Sequence, residues 1–245
     1  MRTIRSFVEA PLVVGQQVGL GEQASAHLIR VLRRQVGDSV VLFNGDGHDY
    51  QARLVSVAKK AAIAEVLERT AVESESPLAV TLVQALARGE KMDWILQKAT
   101  ELGVAAIVPV VSERTEVRLG AERAERRMAH WKGVITAACE QSGRARIPAL
   151  SEPRELALHA AQAPGDGILR LALDPGGEFG LAELPQCSAL ELVVGPEGGL
   201  SERDLATLRV AGYQGLRLGP RILRTETAGP AAIAALQALR GDLST

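Results

Sequence analysis

Apolar and polar positions follow two different rhythms along this chain, and the change falls between Glu73 and Pro77. Up to about residue 70, short alternating runs dominate. "GDSVVLFNGDGHDYQARLVSVAKKAAIAEVLE" predicts three strands. Asn44-Gly45-Asp46-Gly47 joins the first two with residues that tolerate positive φ, and Lys59-Lys60 marks the second reversal. Ahead of them, Glu22 to Arg34 predicts a helix with Leu28, Val31 and Leu32 as its apolar stripe and Gly37 beyond its end. One short helix with several hairpin strands suggests a small barrel.

"ESESP", Glu73 to Pro77, is polar and ends in proline, which marks a linker. Beyond it, strand and helix alternate. "LAVTLVQAL" predicts a strand. "GEKMDWILQKATELG" predicts a helix that buries Ile95, Leu96, Ala99 and Leu102 and closes at Gly103. "AAIVPVV" is the next strand. Ala121 to Gln141 is a long helix with Met128, Trp131, Ile135 and Ala138 on one face. A helix over Pro153 to Ala163, strands at "GILRLAL" and "ALELVV", a helix over Glu202 to Ala211, the strand "LRLG" and an Ala-rich final helix complete the run. The expected fold class is α/β: a mostly parallel sheet covered on both faces, over 73–245, preceded by a small β-domain over 1–72.

With 245 residues and 47% hydrophobic composition, the chain can bury a core of this size. Aromatics make up 3%, so that core is built from Ala, Leu and Val. No apolar run nears the roughly 20 residues that cross a bilayer, and the N-terminus lacks a signal-peptide pattern. Cys139 and Cys187 suggest small buried side chains in a reducing, cytoplasmic setting. The four histidines show no metal-ligand spacing, so no metal is expected. Net charge is −1, yet arginines cluster: Arg30, Arg33 and Arg34; Arg123, Arg126 and Arg127 with Lys132; Arg144 and Arg146. Such clusters can track phosphates or form solvated faces balanced by Glu.

Two strands end in Gly-Pro, 24 positions apart (219 minus 195): "LVVGPEGGLSERDL" and "LRLGPRILRTETA". Both would lie at the carboxyl edge of the sheet, where open α/β folds bind ligands. Gly195, Gly198 and Gly199 free the main chain to approach a ligand, or simply make a tight connector. Ser201 with Asp204 forms a helix-capping box. No P-loop, dinucleotide fingerprint or nucleophile elbow is present. Glu197 among the glycines disfavours a polyphosphate and tolerates a nucleoside of little negative charge. In "RILRTET", Thr225 and Thr227 can each cap the final helix, and Pro230 keeps its start close to Thr227. Arg224 and Glu226 then stand at a loop-to-helix junction, where an arginine can stabilise negative charge on oxygen or pair with the glutamate to pin the loop.

These two segments, with "RGEKMDWILQKATELGV", "PVVSERTEVRL", "AHWKGVITAACEQSGRARIP" and "HLIRVLRRQVGDSVVLFNGDGHDYQA", resemble the RsmE family, the 16S ribosomal RNA uridine N3-methyltransferases of the SPOUT superfamily. The resemblance spans nearly the whole chain. It implies an N-terminal PUA-like barrel that grips RNA, a SPOUT-type domain with a trefoil knot, a homodimer, and S-adenosylmethionine held by the knot loops. The loops would be Leu173-Asp174-Pro175; then Gly195, Pro196, Glu197, Gly198 and Gly199; then Leu218 and Gly219 through Ile222, Leu223 and Thr225. The substrate would be a uridine in 16S rRNA of the small subunit. Loss of the N3 proton leaves negative charge, which Arg224 would stabilise, with Arg221 as its rival and Glu226 orienting the guanidinium or taking the proton. Arg30, Arg33, Arg34, Arg144 and Arg146 would contact phosphates. A related enzyme acting on a tRNA base or a ribose, and a non-catalytic ribosome-assembly factor, remain alternatives at this point.

Overall fold

The computed structural model describes residues 4–58, 61–117 and 120–244. They divide into two compact units. One runs through Glu75 and takes in Cys139–Ile147; the other comprises Ser76–Ala138 and the chain from Pro148 onward.

The first unit is a five-stranded sheet in the order β1-β3-β4-β5-β2, from β1 (Arg5–Phe7), β2 (Gln17–Leu20), β3 (Ser39–Phe43), β4 (His48–Ala58) and β5 (Ala61–Ala71). The β1–β3 pair is parallel and the others antiparallel. Alternation in β4 buries Tyr50, Ala52 and Leu54 in one core with Val40, Leu42, Ala64 and Val66. Two register shifts in the β4–β5 ladder increase its local twist. The reversal expected at Lys59-Lys60 lies outside the described residues. The predicted helix over Glu22 to Arg34 is shorter: α1 (Glu22–Ala26) loosens into a π-turn at His27–Val31. Leu28 is buried and Leu32 packs against the core, but Val31 is 66% exposed. Arg33 then takes φ 53°, ending the helix before Arg34.

The segment Cys139–Ile147 is stitched into this unit by polar contacts. Arg5 donates to the carbonyls of Cys139 (2.9 Å) and Arg144 (3.2 Å), and the Phe7 N–H donates to Glu140 (2.9 Å). Burial pushes the Cys139 thiol up to about 11, consistent with an inert core cysteine.

The second unit is an eight-stranded sheet. Its elements in chain order are β6 (Ala79–Ala85), α2 (Lys91–Glu101), β7 (Ala106–Val111), α3 (Ala121–Ser142), β8 (Ala149–Leu150), β9 (Arg154–Glu155), α4 (Leu156–Ala160), β10 (Leu169–Leu173), β11 (Phe179–Gly180), β12 (Ala189–Val194), α5 (Glu202–Val210), β13 (Gln214–Arg217) and α6 (Thr225–Arg240). The order is β11-β13-β10-β12-β6-β7-β8, with β9 also on β7, and every described pair is parallel. Central strands buried on both faces read as near-continuous apolar runs, which β6, β7 and β12 do. One face carries α4 and α5 over Val83, Val110, Ala172, Val193 and Tyr213. On the other, α6 packs against α2, β6 and β12.

Several boundaries differ from the sequence pattern. The helix expected over Pro153 to Ala163 shrinks to α4, because Arg154 and Glu155 pair with the end of β7. Leu102 is half-buried, and Met92 and Thr100 complete the inner face of α2 instead. The last helix starts at Thr225, two residues earlier than Thr227, and holds Pro230 inside. Both Thr227 and Ala228 donate to the Arg224 carbonyl at 2.8 Å, so the first turn forms, and the proline removes only the bond to the Glu226 carbonyl. Thr225 therefore is not a cap.

Candidate active site

The ends of β10, β12 and β13 are neighbours along the carboxyl edge of the second unit. The chain leaves β12 at Val194 and folds back: Gly199 N–H donates to the Pro196 carbonyl (2.9 Å), and Gly199 takes φ 68°. A side chain at Gly195 would meet the Leu200 nitrogen at 2.8 Å, so only glycine allows this reversal. After β13, Gly219 turns the chain again, at φ 69°.

The two loops meet at Thr225. Its buried hydroxyl donates to the Gly195 carbonyl at 2.7 Å and accepts from Gln84 Nε2 at 3.1 Å. Gln84 is fully buried at the end of β6 and also donates to the Ala85 carbonyl. Around this joint lies a cleft of about 370 Å³. Its lining includes Leu173, Asp174 and Pro175 from the first loop, Gly195 through Gly199 from the second, and Leu218, Gly219, Arg221, Ile222, Leu223 and Thr225 from the third. The volume lies within the range of small-molecule sites. Apolar walls from Leu173, Val194, Leu216, Leu218 and Leu223 alternate with main-chain groups, which suits a flat heterocycle and its edge.

Neighbouring loops brace the glycine turn on two sides. Arg114, after β7, donates to the Gly198 carbonyl at 2.9 Å. Ser201 caps α5: its hydroxyl accepts from Asp204 N–H (3.0 Å) and donates to Glu113 (2.5 Å). On the other side, Glu197 accepts from the Arg88 N–H (3.0 Å) and from Lys91 Nζ (3.2 Å). Burial pushes the Glu197 carboxyl up, but the N–H groups of Arg88 and Glu197 itself and the Lys91 ammonium outweigh it, holding the carboxyl below its ordinary value.

The RNA methyltransferase domain family matches residues 74–237, and the RNA methyltransferase PUA domain matches residues 20–67. The ribosomal RNA small subunit methyltransferase E of Bacillus subtilis (strain 168) is 32% identical, over 98% of this chain and 96% of that one. This chain belongs to the ribosomal RNA small subunit methyltransferase E family. The same-named protein of Buchnera aphidicola subsp. Schizaphis graminum is 31% identical over 99% of both chains. A crystal structure of ribosomal RNA small subunit methyltransferase E from Neisseria gonorrhoeae, bound to S-adenosyl methionine, superposes with a TM-score of 0.94 at 41% identity, covering 98% of this chain and 99% of that one.

Of the three groups expected to act in this family's chemistry, Arg221 lines the cleft, whereas Arg224 and Glu226 do not. Arg224 is exposed at the N-terminus of α6. Glu226 does not pair with Arg224; its ionic partner is Lys91, at 3.8 Å. Gln84, Lys91 and Arg114 were not singled out by the sequence pattern. Gln84 was the readable one, an amide in a strand that is apolar apart from it and Thr81.

The expected phosphate contacts fall in the first unit. Arg30 and Arg33 are exposed, and Arg34 is half-buried with Asp38 at 3.7 Å. Arg146 is exposed, its guanidinium lying where a side chain at Gly47 would reach it at 2.8 Å. Arg144 corrects the expectation: it is 3% exposed and its guanidinium grips Glu75 (2.5 and 3.1 Å), so it holds the unit together and does not present charge outward. Among the described residues no cluster of His, Cys, Asp and Glu could hold a metal ion, and no helix is long and apolar enough to cross a membrane.

Proposed function

We propose that this chain transfers a methyl group from S-adenosylmethionine to N3 of a uridine in 16S rRNA of the small ribosomal subunit. The observation that carries the reading is the Thr225–Gly195 hydrogen bond, which joins two glycine-broken strand ends into one cleft. The bound donor supplies a methyl carbon on a positive sulfur. The protein need only hold it, admit the base and steady the charge that appears when N3 loses its proton.

In this reading, Leu173 to Pro175, Gly195 to Gly199 and Leu218 to Thr225 hold the donor. Glycine main chain reads the adenine edge, and the apolar walls exclude water. Arg224, with Arg221 beside the cleft, stabilises the uridine anion. Glu226, one residue past Thr225 and 3.8 Å from the Lys91 ammonium, orients the acceptor side or takes the proton. As the proton leaves, the N3–CH3 bond forms, the S–CH3 bond breaks and the sulfur becomes neutral.

The same reading assigns residues 1–72 to RNA gripping, through Arg30, Arg33, Arg34 and Arg146, and 73–245 to methyl transfer. It makes the enzyme a cytoplasmic homodimer. It also knots the end of the chain, a threading supported by the return of α6 from edge-side β13 to β6 and β12. The test is to incubate the protein with labelled donor and naked 16S rRNA, small subunits or whole ribosomes, then map the modified base. Label at one uridine N3 is expected. Label on a tRNA, on a ribose, or nowhere contradicts the reading.

A further inference from the structure

One cation connects the two halves of the site from behind. Lys91 opens α2 and does not line the cleft. Its Nζ is 3.2 Å from Glu197 Oε1 in the glycine turn and 3.8 Å from Glu226 Oε2 in the first turn of α6. The Lys91, Glu197 and Glu226 side chains are 35%, 26% and 21% exposed, so solvent screens this triad only in part. The Arg88 N–H makes a second bond to the same oxygen, so the Arg88–Lys91 segment holds Glu197 Oε1 with two donors. Glu226 has no such second hold: the Lys91 ammonium is its one ionic partner among the described residues, and Oε2 lacks a hydrogen bond.

We infer that Lys91 is a positioning residue that couples the donor loop to the acceptor side of the site, by holding Glu197 and Glu226 against one ammonium. This deepens the proposed function and rests on it. Without the ammonium, the Glu197 carboxylate of the glycine turn and the Glu226 carboxylate of α6 lose the positive charge they share and repel. The glycine turn then loses one of its two restraints from the Arg88–Lys91 segment, and Glu226 loses the charge that fixes its place. Donor affinity and turnover should therefore fall together, while RNA binding, which the reading assigns to the other unit, should not change.

The experiment compares wild type with Lys91→Met and Lys91→Arg. Calorimetry reads the Kd for S-adenosylmethionine, and steady-state methylation reads kcat and the KM for RNA. For Lys91→Met, donor affinity and kcat should each fall about tenfold, the scale of one charge-assisted hydrogen bond. The KM for RNA should stay within about twofold, and Lys91→Arg should recover most of both losses. Glu197→Gln should reproduce the donor defect, and adding Lys91→Met to it should weaken binding further by much less than tenfold.

Donor affinity and kcat unchanged in Lys91→Met would overturn the inference. So would a loss confined to the KM for RNA, which would make Lys91 a phosphate contact, or equal donor defects in Lys91→Arg and Lys91→Met. Wild-type protein that binds no donor would instead count against the proposed function. The donor titration needs no RNA, so it separates the two failures.

Discussion

Thr225 shows how one side chain can be misassigned by its neighbours in sequence. A threonine ahead of a helix suggests a cap, yet here it is the first helical residue and spends its hydroxyl on Gly195, 30 positions upstream. Glu226 was similarly drawn to Arg224 by proximity along the chain, but folding gives it Lys91, 135 positions away (226 minus 91). Charge in sequence shows that a pair can form, not which pair. Arg144 makes the same point: its place in an arginine cluster suggested phosphate, and burial against Glu75 gives it a structural role. Arg224 stands exposed at the N-terminus of α6, next to Thr225 at the joint of the two loops, and its proposed role can be tested there. Replacing it with alanine should leave donor affinity within about twofold and lower kcat about a hundredfold or more, the usual cost of removing one fixed donor to a developing anion. Calorimetry and single-turnover methylation check this, and a near wild-type rate would remove Arg224 from the chemistry.

At the scale of elements, long periodic segments were legible and short ones were not. The period of α2, α3 and α5 and the apolar runs of β6, β7, β10 and β12 are visible because burial of one helix face, or of both strand faces, repeats over many residues. The π-turn at His27–Val31 and the two-residue strands β8, β9 and β11 carry no such repeat. Also hidden was a buried polar cluster between β10, β12 and the helices covering them. Tyr213 donates to Glu191 at 2.5 Å, and Arg170 Nε stands 3.3 Å from the same carboxylate. Arg170 also lies over the Tyr213 ring at 4.9 Å, and His159 approaches Glu191 at 3.6 Å. Burial pushes the Glu191 carboxyl up, but His159, Tyr213 and Arg170 together hold it below its ordinary value. A carboxyl depressed on folding stabilises the protein above the unfolded carboxylate pKa of about 4.3 and loses that contribution as pH falls through the lower folded value. Arg170→Met should therefore cost about 3–5 kcal/mol at neutral pH, where it strands a buried carboxylate, and clearly less near pH 4. Urea denaturation at both pH values reads the difference, and an equal penalty at both would count against this account of the cluster.

For the whole molecule, the alternation of rhythms indicated two folded parts and which one carries the cleft. It did not show that Cys139–Ile147, more than 60 residues beyond Glu75, completes the first unit. The reason is physical: Arg5 pairs with Asp49 in β4 and also donates to the Cys139 carbonyl, the Phe7 N–H donates to Glu140, and both of these further acceptors come from the last turn of α3. The cleft itself was legible because Gly-Pro pairs after apolar strands mark chain reversals at one sheet edge, and strand order then brings those edges together. The account stands on that cleft holding the methyl donor through the Gly195–Thr225 joint. Titration of S-adenosylmethionine into wild-type protein and into Thr225→Val, followed by calorimetry, tests this most directly. One donor per chain is predicted for wild type, with affinity about fivefold lower in the variant, the worth of a single neutral hydrogen bond. No heat from wild type, or equal affinity in the two proteins, would contradict it.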